Sequence, residues 1–382
     1  MKLSVNIEKQ LDNFHLKSSF EADSERFALL GASGSGKSMT LRCIAGIEKP
    51  DRGRIVLGDR VLFDSEKRIC VPPKDRRIGY LFQNYALFPH MTVRQNVYCV
   101  AKDRKYADQL ISRFELDSVA DHHPAELSGG QAQRTAMARM LVVRPEVLLF
   151  DEPFSALDNY IKNRMEHEIL GILDEFDGPS VLVSHDRNEV FRLASRIGVM
   201  DGGNIVEIQD RNGFFDHPRT VASARLTGCK NISRLTVRPD GTAYADDWGV
   251  SLNPGENVSF ESAKMVGYRA HYFEFTDDKA WTDAGGNTDK QRILKEKILE
   301  DNDNHLTALD NMTNVIDCEL VRVIEDTFSM TVCFRQEGNE CETPDSLLTW
   351  VVDKGSWKEY EDRVMSGRFV LRINPERLMV FS

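Results

Sequence analysis

Short apolar runs alternate with longer amphipathic stretches through the first part of this chain. Phe27-Ala28-Leu29-Leu30 stops at Gly31, Val147-Leu148-Leu149-Phe150 at Asp151-Glu152-Pro153, and Val181-Leu182-Val183 at Ser184-His185-Asp186. Unbroken apolar runs of this length suit parallel strands buried on both faces. From Lys37 to Gly46 the chain carries Met39, Leu41, Cys43, Ile44 and Ala45 without an intervening Pro or Gly, which predicts a helix. A second helix is predicted from Ala132 to Val143, where Ala136, Met140 and Leu141 recur at helical spacing. The alternation runs to about residue 228 and predicts an α/β domain over 1–228.

After Thr227 the period changes from helical to two. Leu235 and Val237 alternate with polar residues up to the turn Pro239-Asp240-Gly241, and Ala243 and Ala245 follow. Met330, Val332 and Phe334 alternate against Thr331, Cys333 and Arg335, and Phe369, Leu371 and Ile373 repeat the pattern. These short strands predict a smaller, β-barrel-like domain over 229–382. A polar, acidic insert interrupts it at about 277–314, with a helix expected around Gln291 to Leu299.

Composition narrows the partners. The 382 residues suffice for two domains with separate cores, and a formal charge of −11 argues against a nucleic-acid partner. No run approaches the 18 or so apolar residues of a spanning helix, and Met1-Lys2-Leu3-Ser4 opens no signal peptide. The expectation is a chain soluble by itself, held at a membrane only through other subunits. Its seven cysteines, odd in number and without a C-x-x-C pair, read as reduced cytosolic thiols.

Candidate chemistry gathers where the apolar runs end, the place where open α/β sheets bind ligands. Gly31-Ala32-Ser33-Gly34-Ser35-Gly36-Lys37-Ser38 fits G-x-x-x-x-G-K-[ST]. In that pattern backbone N–H groups wrap phosphate, the lysine adds a point charge, and the hydroxyl faces Mg2+. About ninety positions on stands Leu127-Ser128-Gly129-Gly130-Gln131, ahead of the second predicted helix. Two glycines and a serine at a helix N-terminus make a second anion receptor.

The two motifs in this order resemble the ATP-binding subunit of ABC transporters. The resemblance implies a P-loop NTPase domain with a helical signature subdomain over about 84–133. It implies ATP and Mg2+ bound by Gly31, Ala32, Ser33, Gly34, Ser35, Gly36, Lys37, Ser38 and Met39, with Ser38, Gln83 and Asp151 around the metal. Glu152 is implied as the base that deprotonates water, assisted by the Q-loop residue Gln83 and the switch residue His185. Ser128, Gly129, Gly130 and Gln131 would face ATP on a second copy of the chain. Asp158, in the D-loop Ser155-Ala156-Leu157-Asp158, would cross that dimer interface. Phe14 is either the adenine-stacking aromatic or a core residue. Asn84 to Val93, apolar for a loop, is read as the docking site for a membrane permease subunit, with a buried core segment as the alternative.

The layout resembles importer ATPases with a C-terminal accessory domain, for molybdate, sulfate, maltose, polyamines or ferric iron. It implies a peripheral protein on the cytoplasmic face of the membrane, served indirectly by a substrate-binding protein. Within that group, Thr227 to Arg234 and Gly267 to Phe273 look most like the molybdate type. Lys230, Ser233, Arg234 and Arg269 are the nearest candidates for an oxyanion, or else hold strands and dimer together. A soluble, non-transport ABC ATPase is the reading from another class; the single motif set and the gap without heptads count against it.

Overall fold

The computed structural model describes residues 1–155, 159–276, 314–339, 341 and 343–382. The insert expected at 277–314, apart from Asn314, therefore lies outside the described residues, as does its helix. So does Asp158. The chain forms two compact units, Met1–Asp216 and His217–Ser382.

The first unit is built on an eleven-stranded sheet in the order β6-β5-β4-β1-β2-β11-β10-β3-β9-β8-β7. Its antiparallel side comprises β1 (Lys2–Leu11), β2 (Phe14–Asp23), β4 (Arg52–Leu57), β5 (Arg60–Asp64) and β6 (Ile69–Cys70). β10 (Arg196–Asp201) and β11 (Asn204–Asp210) form a hairpin, and β10 opens a parallel run through β3 (Arg26–Gly31), β9 (Ser180–Ser184), β8 (Val147–Asp151) and β7 (Ile78–Leu81). Every residue of β8 and β9 is buried, which is why their sequences read as continuous apolar runs. Residues of both sides of the sheet (Val5, Leu16, Leu29, Leu149 and Val183 among them) share one core with Leu41 and Ile44 of α1 (Lys37–Ala45).

A helical segment follows β7. It contains α2 (Val93–Tyr98), α3 (Arg104–Arg113) and α4 (Gly129–Leu141), and α2 and α3 each pack on α4. α4 starts three residues earlier than the apolar periodicity predicts, because its first turn is stabilised by capping rather than burial. Ser128 Oγ accepts from the Gln131 N–H, and the Gln131 side-chain oxygen accepts from the Ser128 N–H. The glycines of the second motif are thus inside the helix, not ahead of it. α5 (Asn159–Glu175), α6 (Arg187–Leu193) and α7 (Arg211–Asp216) complete the unit.

The second unit begins twelve residues before the expected domain change, because α8 (Val221–Leu226) belongs with it: Ala224 packs with Cys229, Ile232 and Phe381. β12 (Asn231–Val237), β13 (Ala243–Ala245), β14 (Val250–Leu252), β15 (Met265–Tyr268) and β21 (Met379–Phe381) form one five-stranded sheet. β16 (Glu274–Phe275), β17 (Val315–Glu325), β18 (Ser329–Gln336), β19 (Leu348–Asp353) and β20 (Arg368–Arg372) form another. Both enclose one core, in which Leu235, Trp248 and Tyr268 meet Val332, Phe334 and Leu371. α9 (Lys354–Met365) lays Trp357 and Val364 into that core. On β18 the even-numbered apolar positions point inward as expected. Thr331 and Cys333 are buried as well, so the alternation does not divide this strand into a buried and an exposed face.

Candidate functional site

The site is assembled at the carboxyl ends of β3, β7, β8 and β9, four neighbours in the parallel run. After β3 the chain turns through Gly34 (φ 79°) and Gly36 (φ 103°) into α1. Gly36 cannot carry a side chain: a Cβ there would stand 2.7 Å from Leu16 Cδ1 and 3.1 Å from Phe14 Cζ. Phe14 is thereby located at the glycine-rich loop and packs, half-buried, against the core. The N–H groups of Lys37, Ser38 and Met39 open α1 and have no partner within the helix, while the Met39 side chain packs on the core.

Lys37 is almost fully buried and donates from Nζ to the Gly31 and Ala32 carbonyls at 2.9 and 2.8 Å. Burial pushes its pKa down, and the Glu152 and Asp151 carboxylates partly offset that. Ser35 Oγ is buried in the same loop and has no hydrogen-bond partner among the described residues. A loop with an unsatisfied hydroxyl, unpaired N–H groups and a buried ammonium suits a polyanion.

Asp151, at the end of β8, is buried and held through both oxygens. Ser38 Oγ donates to Oδ1 at 2.6 Å and Tyr80 Oη to Oδ2 at 2.8 Å. Burial and the Asp151 charge both drive the Tyr80 pKa upward, so Tyr80 remains a donor. Glu152 follows with φ 46°, a left-handed conformation that costs a non-glycine residue free energy and is stored where the surroundings determine it. Its Oε2 accepts from Gln83 Nε2 at 3.3 Å and lies 3.4 Å from His185 Nδ1. The His185 side chain is 60% exposed and that of Glu152 19%, so the pair faces outward beside the buried Asp151.

Lys37, Ser38, Gln83, Asp151, Glu152 and His185, separated by as much as 148 positions in sequence, thus meet in one place. Ser128, Gly129, Gly130 and Gln131 do not join them. Ser128 is exposed and Gln131 half-buried at the start of α4, and among the described residues their side chains bond each other's backbone.

Several supporting residues escaped the sequence reading. Tyr80 is one; its place in a four-residue strand next to β8 was the available signal. Gln133 is another, fully buried, donating to the Pro153 carbonyl at 3.1 Å and so linking α4 to the residue after Glu152. The stretch after Gln83 is held by Asn96, also fully buried. Its amide donates to the Phe88, Met91 and Thr92 carbonyls, and its oxygen accepts from the Phe88 N–H. Arg139 reaches the Tyr85 carbonyl at 2.7 Å and stacks over the Phe88 ring. Tyr85 and Val93 are buried, whereas Phe88, Pro89 and His90 are exposed.

In the second unit three of the four oxyanion candidates are engaged elsewhere, while Lys230 is exposed. Arg234 pairs with Asp247, its Nη2 2.9 Å from Oδ1, and Arg269 donates to the Thr227 carbonyl at 3.1 Å. Ser233 Oγ donates to the Arg234 carbonyl and accepts from the Asp247 N–H. These contacts tie β12 and the segment after β15 to the neighbouring turns, and among the described residues they do not converge on a shared anion receptor.

The family model for ABC transporters matches residues 16–155, from β2 to the residue after Phe154. A sulfate/thiosulfate import ATP-binding protein of Rhizobium meliloti is 34% identical over 310 residues, 77% of this chain and 82% of that protein. A trehalose/maltose import ATP-binding protein of Thermococcus litoralis is 38% identical over 64% of this chain and 68% of its own length. A putrescine transport ATP-binding protein of Escherichia coli is 41% identical, over 54% and 56%. This chain therefore spans between about half and four fifths of these relatives. A solved ATP-binding cassette dimer with ADP and Pi matches 55% of the chain at 27% identity and a TM-score of 0.48. Among the described residues no helix is long and apolar enough to cross a membrane. From a relative matched over four fifths of its length and the family model on its first unit, the chain belongs to the ABC transporters, as an ATP-binding subunit of the importer type and an ATPase.

Proposed function

We propose that this subunit hydrolyses Mg-ATP at the cluster around Asp151 and Glu152 and uses the cycle to drive solute import. The observation that carries the assignment is the convergence of six motif side chains at four adjacent strand ends, with both Asp151 oxygens engaged. In this reading the N–H groups of the 31–39 loop and Lys37 bind the phosphates. Ser38, Asp151 and Gln83 offer the hydroxyl, carboxylate and amide oxygens that suit Mg2+, which when bound would neutralise phosphate charge. Glu152 accepts the proton of the attacking water and His185 orients the group beside it. Phosphoryl transfer asks chiefly for positioning and charge neutralisation, which this cluster can supply.

Ser128 and Gly129 are exposed at the N-terminus of α4, and among the described residues Ser128 makes no hydrogen bond to the cluster, which supports a role for the 128–131 motif on another copy's nucleotide. A C2 head-to-tail dimer sandwiching two ATP molecules follows, with Asp158 at its interface. The exposed Phe88-Pro89-His90, anchored from behind by Asn96 and Arg139, is the surface offered to a membrane permease subunit. The protein then sits peripherally on the cytoplasmic face, with a substrate-binding protein acting through the permease.

The cargo is read as an oxyanion. Support comes from the sulfate/thiosulfate relative, whose alignment reaches 77% of this chain. Molybdate is the finer reading; it rests on the 227–234 and 267–273 segments alone, and the structural engagement of Arg234 and Arg269 weakens it. Two measurements test the whole. Lys37→Ala should abolish ATP turnover with the fold retained, and normal turnover would remove the site assignment. Deleting the subunit from its own cell should lower uptake of sulfate or molybdate; loss of sugar or polyamine uptake instead would reassign the cargo.

A further inference from the structure

His185 is carried on a turn that a closed ring of polar contacts fixes from below. Ser184 Oγ donates to Glu189 Oε2 at 2.5 Å and accepts from the Asp186 N–H at 2.9 Å. Lys162, on α5, closes the ring: its ammonium lies 2.6 Å from Asp186 Oδ2 and 2.6 Å from Glu189 Oε1. Its side chain is only 18% exposed, and that of Glu189 only 7%. Beside the ring the buried Glu166 is paired with Arg192 at 2.9 Å. Lys162, His185, Asp186 and Glu189 also line one cavity together with Glu152 and Ser155.

We propose that Lys162 is a positioning residue for turnover: by bridging Asp186 and Glu189 it fixes the turn that holds His185 against Glu152. The inference rests on the roles proposed above for those two residues. Three features favour geometry over stability as the bridge's product. A buried ion pair is a poor source of net stability, because desolvation offsets attraction. The bridge spans elements distant in sequence, α5 and the turn after β9, rather than neighbours on one helix. The ring includes the residues on both sides of His185, so loosening it moves the imidazole directly. Small misplacements at a reacting centre are costly to rate.

The test compares Lys162→Met and Lys162→Arg with wild type in steady-state ATPase assays. Lys162→Met should lower kcat about ten- to a hundredfold and leave the KM for ATP within about twofold, because the phosphate loop is untouched. Lys162→Arg, which can bridge the same two carboxylates, should recover most of kcat. A wild-type kcat in Lys162→Met, or a loss that Lys162→Arg does not restore, overturns the proposal. If Lys162→Met fails to fold, Glu189→Gln keeps the shape, removes one carboxylate charge, and must show the same kcat-selective loss. An inactive wild type overturns the functional reading as well. A wild-type rate that Lys37→Ala abolishes but Lys162→Met leaves unchanged overturns the positioning role alone.

Discussion

Tyr80 holds Asp151: its phenol donates to Oδ2 at 2.8 Å while Ser38 occupies Oδ1, so neither carboxylate oxygen is free to rotate. The phenol is supplied by β7, whose Tyr80 lies level with Leu149 of β8 in the parallel register. Strand pairing therefore sets the orientation of the proposed metal carboxylate.

Tyr80→Phe removes that donor and keeps the ring. The expected outcome is an intact fold and a kcat lowered about three- to tenfold, equivalent to roughly 0.7–1.4 kcal/mol of transition-state stabilisation. Asp151→Asn, which removes the charge itself, should cost far more. Equal losses in the two variants would mean that Tyr80 does more than orient Asp151.

A second relationship controls the far end of α1. Arg76 is fully buried, yet it donates to the Cys43 and Ile44 carbonyls at the helix C-terminus and to the Val71 carbonyl. A cation at the negative end of a helix is favourable. Gly46, the C-cap with φ 79°, leaves room for it: a Cβ there would lie 2.5 Å from Arg76 Nε. Gly46→Ala should therefore destabilise the first unit by about 2–4 kcal/mol, from left-handed strain plus overpacking. Chemical denaturation is the measurement, and a loss below about 0.5 kcal/mol, the scale of an ordinary surface substitution, would show that Arg76 can withdraw.

Much of this site was legible because phosphate binding and phosphoryl transfer constrain residue types at fixed spacing. Asp151, Glu152 and His185 sit at the ends of apolar runs, Lys37 and Ser38 complete the glycine-rich pattern that follows another, and Gln83 was given by the family resemblance. Tyr80, Gln133, Asn96 and Lys162 could not be read that way. Each acts on a partner on another element, and a lone Tyr, Gln, Asn or Lys carries no period. The start of α4 was misplaced for a related reason: its first turn is held by the Ser128–Gln131 capping box rather than by apolar burial. In the second unit period two identified strands, but which sheet each joins depends on long-range pairing. Arg234 shows the limit of composition, since its charge is directed at Asp247 rather than at a ligand.

The thiols should divide by burial. Cys43 is buried and its pKa pushed up to about 12, and that of Cys229 to about 11, by desolvation of the thiolate. Both lie above the ordinary 9.0, so raising pH to 8 leaves almost none of either as the reactive anion. Cys70 and Cys99 are exposed. Brief alkylation of the native protein at pH 8, read by peptide mass spectrometry, should label Cys70 and Cys99 and spare Cys43 and Cys229. Denaturant should expose all four. Rapid native labelling of Cys43 would contradict the packing of α1 against the sheet.

Glu152 provides the sharpest test of the proposed cycle. Replacing it by Gln keeps the size of the side chain and its contact with Gln83 or His185, but removes the group that accepts a proton from water. Nucleotide affinity should stay close to wild type while kcat falls at least a hundredfold, the usual scale for losing a general base. Because ATP closes the proposed dimer and hydrolysis reopens it, the variant should accumulate as an ATP-bound dimer, measurable by light scattering after size exclusion with Mg-ATP. Ser128→Arg on the same background should prevent that accumulation. Ser128 is the exposed N-cap of α4 and bonds Gln131 rather than the Glu152 cluster, so in the proposed dimer its substitution would leave the chain's own phosphate loop intact and obstruct a second copy's nucleotide. A Glu152→Gln protein that stays monomeric at saturating ATP, or a dimer indifferent to Ser128→Arg, would remove the sandwich arrangement while leaving the phosphate-binding loop assigned.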